Sequence, residues 1–148
     1  MDRRLEALLA ARRGAPARWA PWVRGGSAIV LIVFGLGKFV VYDTEVDAFE
    51  RYGLPEAGAV VIAIGVIEVL GGVLLGAGLL TRVVALVLAG NMLGAIVLSG
   101  ILEGEVVPSL TLAPALLAAM LFLIWSGAGK PSLDAELLED LQARSSSR

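Results

Sequence analysis

Four long apolar runs constrain this chain more than anything else in it: about Val23–Tyr42, Ala57–Leu80, Val83–Leu102 and Val107–Trp125. Each covers roughly 19–24 residues, enough for a helix rising 1.5 Å per residue to cross a ~30 Å hydrocarbon layer. Backbone in lipid must satisfy its own N–H and C=O groups, so each run reads as a helix. The expectation is an all-α, transmembrane four-helix bundle over residues 23–126, with a basic segment 1–22 before it and a tail 127–148 after it. Composition agrees. Of 148 residues, 57% are hydrophobic and another 18 are glycine, well above the ~45–50% apolar share of soluble domains. That balance rules out a disordered chain and argues against an ordinary soluble enzyme.

Charge sets the expected orientation. Arg3, Arg4, Arg12, Arg13, Arg18 and Arg24 lie before or at the start of the first run. The first interval carries Arg51 among Asp43, Glu45, Asp47, Glu50 and Glu56; the second carries Arg82; the third has Glu103 and Glu105; the tail has Lys130, Arg144 and Arg148. Alternate flanks thus hold ten basic residues against one, which predicts both termini in the cytoplasm. Trp19, Trp22 and Trp125 fall at the inner interface on this reading, and Tyr42 and Tyr52 at the outer one, where amphipathic rings prefer to sit. Lys38 interrupts the first run and no small-x-small site follows it, so that run reads as a retained helix rather than a cleaved leader.

Both flanks predict short amphipathic helices. Arg3–Arg13 places Leu5, Leu8 and Leu9 on one face, suited to an anionic leaflet or simply to water. The tail predicts a helix over about 132–143, with Leu133, Leu137, Leu138 and Leu141 on one side and Asp134, Glu136, Glu139 and Asp140 on the other. Pro131 and Ser132 suit its start. Its acidity favours docking against the bundle, a second copy or a soluble partner over a lipid surface.

The absences narrow the chemistry. The chain has no cysteine and no histidine: no thiol, no His-ligated haem and no cluster of metal-ligand spacing is on offer. The clustered basic surface of a nucleic-acid binder is missing as well. What chemistry there is must come from carboxylates, Lys, Arg, amides and hydroxyls, or from a partner.

Polar groups inside the membrane are costly and therefore candidates for function. Glu68 lies about 16 Å from either end of its helix, near the midplane, and Gly65, Gly71, Gly72 and Gly76 flank its face. Asn91 lies at similar depth beside Gly90 and Gly94, a small-xxx-small pair for helix approach, and an Asn91–Glu68 hydrogen bond is expected. Lys38 sits about 6 Å inside the outer end of the first helix, roughly 10 Å shallower than Glu68. Two readings of Lys38 stand: a snorkelling anchor, or a cation facing a buried carboxylate or a ligand oxygen. Glu68 and Asn91 carry a structural reading too, as glue between helices. Pro114 is expected to kink the fourth helix, with Pro108 at its start.

Several short motifs in fixed order then point to a family. They are Phe34–Phe39 (FGLGKF), Gly53-Leu54-Pro55, Glu68 with Gly71 and Gly72, Gly78–Arg82 (GLLTR), Asn91-Met92 and Gly127–Asp134 (GAGKPSLD). Together, over Arg24 to Asp134, the chain resembles the DoxX family of small four-helix membrane proteins. The resemblance implies a multi-pass protein of a prokaryotic cytoplasmic membrane and a link to quinone-associated redox chemistry through soluble or membrane redox partners. It implies no haem and no metal. A quinone would have to be held by Lys38, Glu68, Asn91 and apolar packing, while Arg82, Lys130 and Asp134 are candidates for docking a partner. A catalyst acting alone is the least supported class, for no nucleophile–base pair is present. The alternative is a non-redox module, permease-like or for assembly, whose glycine faces serve packing or homo-oligomerisation.

Overall fold

The structure, a computed structural model, describes residues 15–102, 104, 106 and 108–146. The expected Arg3–Arg13 helix, and Glu103, Glu105 and Val107 of the third interval, lie outside the described residues. All described secondary structure is helical: α1 Ala15–Val40, α2 Tyr42–Arg51, α3 Ala57–Ala77, α4 Thr81–Ala95, α5 Leu112–Ser126 and α6 Leu133–Ser146. A π-helical segment, Ile96–Leu102, prolongs α4.

Three stretches are long and apolar enough to cross a membrane: Arg18–Val40, Ala57–Ala77 and Thr81–Leu102. The fourth run behaves differently from its expectation. Its helix starts at Leu112 and has 15 residues, about 22 Å of helix, short of a ~30 Å hydrocarbon layer. Turns occupy 108–111, where the Leu112 and Ala113 N–H groups both donate to the Pro108 carbonyl. Pro114 is therefore the third helical residue, in the first turn. An N–H there has no intrahelical acceptor to lose, so Pro114 fits without the expected kink.

The first interval is the second departure. Residues 42–51, read as an acidic loop, form α2. Asp43 and Glu45 occupy its first turn and Arg51 its last, each stabilising the helix dipole. Val46, Phe49 and Tyr52 repeat at helical spacing, and Phe49 stacks obliquely on Tyr52 with centroids 5.4 Å apart. α2 packs on the start of α3.

Glycines decide how the long helices meet. α1 packs most extensively on α3 and α4 on α5; α3–α4 and α1–α5 contacts are smaller. A Cβ at Gly72 would lie 3.0 Å from the Ala28 carbonyl oxygen, and one at Gly65 would lie 2.8 Å from the Phe39 ring. Gly71 gives the same close approach to Leu88 of α4. The core between these helices is built on Leu31, Leu75, Leu88, Met120 and Leu123. Ile29, Val66, Leu70, Leu86 and Leu121 point outward and exposed, as a lipid-facing surface requires.

The two ends differ. One carries α2 and the close of the π segment against the 108–111 turn, where a Cβ at Gly100 would meet Leu110. The other carries the α3–α4 turn, the end of α5 and α6; Trp19, Trp22 and Trp125 are exposed there. α6 starts behind Ser132, whose hydroxyl accepts from the Ala135 N–H at 3.3 Å, and it runs to Ser146 rather than stopping near 143.

Candidate functional site

Gly35 brings α1 against Glu68 of α3, and this fixes the site. Glu68 is 6% exposed, and its Oε1 accepts from the Asn91 amide of α4 at 2.9 Å, the bond expected from their depths. Its Oε2 is buried with no hydrogen-bond partner and stands 3.7 Å from the Lys38 ammonium. Lys38 thus does not snorkel away: its Nζ lies between Glu68 and Glu45, 3.6 Å from the Glu45 Oε2. Three helices and α2 converge on one polar cluster of two carboxylates, one ammonium and one amide.

The expected 10 Å difference in depth is absent because the helix ends are not level. Gly35, five residues before the end of α1, lies opposite Glu68, eleven residues into α3. α3 therefore projects about 9 Å further than α1 at this end, and Lys38 sits only about 4.5 Å along the axis from Gly35.

The cluster faces a cavity of about 730 Å³ lined by α1, α2, α3, α4, the π segment and α5. Leu31, Phe34, Ile64 and Leu116 supply apolar wall; Ser99 and Ser109, hydrogen-bonded to each other across the π segment and the 108–111 turn, supply a second polar spot. The Ser99 hydroxyl also bonds the Ala95 carbonyl at 3.2 Å. Gly37, Gly90 and Gly94 line the cavity too, and a Cβ at any of them would meet nothing within 4 Å. Gly90 and Gly94 accordingly seat no other described helix of this chain, although their spacing suits one. They keep the space in front of Asn91 open.

The residues expected to dock a partner separate at the opposite end. Asp134 is 1% exposed. The Leu80 and Thr81 N–H groups donate to its two carboxylate oxygens at 2.6 and 2.9 Å, and its own N–H donates to the Gly78 carbonyl at 2.9 Å. It therefore caps α4 from a distance and holds Leu80 at φ +50°, a conformation that persists only where the surroundings impose it. A group so enclosed is committed to the α3–α4 turn rather than to the surface. Lys130 pairs with Glu139 of α6 in the open, and Arg82 reaches the Trp125 carbonyl at 3.5 Å.

Arg24 was legible only as a topology charge. It is 6% exposed and donates to the Pro131 carbonyl at 2.7 Å. It packs so tightly under the α3–α4 turn that only glycine fits at position 78, where φ is +69° and a Cβ would overlap the guanidinium. Glu45 was counted as loop charge; the signal that could have found it is its place one helical turn beyond Val41, on the face shared with Ala48 and Phe49. Among the described residues no group of three or more acidic side chains could hold a metal ion.

Comparison with known proteins agrees with this architecture. The family model described as DoxX matches residues 22–100. The chain is 37% identical over 122 residues to the "Uncharacterized membrane protein Rv3486" of Mycobacterium tuberculosis, covering 74% of this chain and 75% of that one. It is 41% identical over 71 residues to the "Putative oxidoreductase CatD" of Bacillus subtilis, covering 48% of this chain and 52% of that protein, about half its length. No solved structure matches it.

Proposed function

This chain belongs to the DoxX family of membrane proteins, and we propose that it serves membrane redox chemistry as an accessory, anchoring subunit that holds a quinone in the cavity above Glu68. The observation that carries this reading is the Glu68 Oε2: a carboxylate oxygen buried without a hydrogen-bond partner, next to an ammonium, on the wall of a largely apolar cavity of about 730 Å³. Pockets of that size, apolar with a few converging polar groups, suit small amphipathic ligands. When bound, a quinone supplies reversible two-electron, two-proton chemistry. Lys38 would donate to a headgroup oxygen, Glu68 would take or return the proton there, and Asn91 would hold Glu68 in place. Electrons would come from a redox partner. The name of the Bacillus subtilis relative favours such a link.

The fourth apolar helix, α5, completes a four-helix transmembrane bundle in this reading, in a prokaryotic cytoplasmic membrane with both termini on the cytoplasmic side. The ten-to-one distribution of basic residues supports that orientation. A soluble partner would then meet the α6 end, where Leu133 and Leu137 are exposed near Lys130.

Quinone content tests the proposal: solvent extraction and chromatography of protein purified from its native membrane in mild detergent. Near-stoichiometric quinone, lost in Glu68→Gln, is expected. Quinone no higher than the lipid background would overturn it in favour of a non-redox module, a reading that the direct Asn91–Glu68 bond between α4 and α3 supports. In that case Glu68→Gln changes only stability or oligomer distribution.

A further inference from the structure

We infer that Glu45, Lys38 and Glu68 form a proton pathway joining the buried wall of the cavity to the α2 end of the protein, with Glu45 as its outer carboxylate. The three groups stand in line. The Lys38 Nζ is 3.6 Å from the Glu45 Oε2 and 3.7 Å from the Glu68 Oε2, and side-chain exposure falls from 28% at Glu45 through 15% at Lys38 to 7% at Glu68. Each gap exceeds a hydrogen bond by less than 1 Å, within the swing of a lysine's flexible stem.

Among the described residues no other carboxylate or ammonium lines the cavity. Of the cavity lining, α3 offers Glu68 alone, α4 offers the neutral Asn91, and the π segment and α5 side offer the hydroxyls of Ser99 and Ser109. α2 adds Arg51 beside Glu45, with Tyr52 just past its end; an arginine does not give up its proton in proteins.

The transfer balances without any co-reactant. The Lys38 ammonium gives one proton to the Glu45 carboxylate, breaking an N–H bond and forming an O–H bond. The resulting amine takes the proton of the Glu68 carboxyl group. One proton has moved from Glu68 to Glu45, the charge of the triad is unchanged, and Glu45 releases the proton to water at its exposed side. The reverse sequence delivers a proton to Glu68. In the proposed function this route serves the proton that Glu68 exchanges with the ligand, and it rests on that reading for its use but not for its existence.

The test therefore uses full-length protein in lipid nanodiscs with quinone extracted. The infrared carbonyl stretch of the protonated Glu68 is identified by its loss in Glu68→Gln, and its relaxation after a pH jump is timed. Glu45→Gln and Lys38→Met are expected to slow that relaxation at least tenfold, while Glu45→Asp keeps it near the wild-type rate. An unchanged rate in Glu45→Gln overturns the pathway, and so does a Glu68 band that does not respond to pH. Either result leaves the quinone reading standing, since extraction tests that separately.

Discussion

Gly35 of α1 lies directly against Glu68 of α3: a Cβ at position 35 would sit 2.9 Å from the Glu68 Cβ and 3.0 Å from the Gly65 carbonyl oxygen. That contact sets the level at which Lys38 meets the buried carboxylate. A side chain there must force the two helices apart, because the obstacle is partly backbone. Gly35→Val is expected to cost about 1–3 kcal/mol through overpacking. Thermal unfolding in detergent checks this, and an unshifted midpoint would mean that α1 and α3 do not pack on these glycines.

The glycines lining the cavity should behave in the opposite way. Gly94 has nothing within 4 Å of a built Cβ, so Gly94→Leu should unfold within a few degrees of wild type. It should nonetheless lower quinone content by at least tenfold, because the leucine occupies the space before Asn91. Loss of stability with retained ligand would contradict the placement of the cavity.

Asn91→Leu removes the amide that holds the Glu68 Oε1 at 2.9 Å. Polar bonds between membrane helices are worth about 1–2 kcal/mol in model peptides and less in natural bundles. The expected loss is therefore about 1 kcal/mol, read from steric-trap or denaturant unfolding, with a larger loss in ligand retention than in stability.

How much of this was legible beforehand depended on the kind of signal. The Asn91–Glu68 bond followed from depth counting alone, because α3 and α4 are joined by a tight turn and share an origin. Lys38 did not, because α1 and α3 are separated by α2, and hydropathy does not reveal that their ends stand at different heights. α2 itself was hidden by its charges: run-length reading sees apolar excess, whereas a ten-residue amphipathic helix shows only as Val46, Phe49 and Tyr52 in register. Gly90 and Gly94 have the spacing of a packing motif, yet no described part of this chain comes within 4 Å of a Cβ there. Spacing gives a face, not what covers it.

The one basic and the one acidic residue of the GAGKPSLD segment, Lys130 and Asp134, should separate cleanly. Asp134→Ala strips the cap from the Leu80 and Thr81 N–H groups, a loss of about 0.5–2 kcal/mol. It also leaves the Arg24 guanidinium buried without its nearby carboxylate, which adds to the cost. Lys130→Ala breaks an exposed pair with Glu139 and should cost under about 1 kcal/mol. Equal effects on the melting temperature would contradict the buried role of Asp134.

The absence of cysteine makes orientation directly measurable. Glu50 of α2 and Glu139 of α6 are both exposed, so Glu50→Cys and Glu139→Cys each give a single reactive thiol. An impermeant maleimide applied to intact cells should label Glu50→Cys, and label Glu139→Cys only once the membrane is opened. The reverse pattern would invert the proposed topology.

The contact between Arg24 and Pro131 spans 107 positions of sequence, and Asp134 lies three residues later still. A ribosome releases Arg24 at the start of the first apolar helix and its acceptors only after the last. Every long helix is thus synthesised before the bonds that tie α1, the α3–α4 turn and the tail together can form. A nascent chain halted at Ser126 would hold α1 to α5 and none of this closure, so these helices must first pack without the bonds that later tie them to the tail.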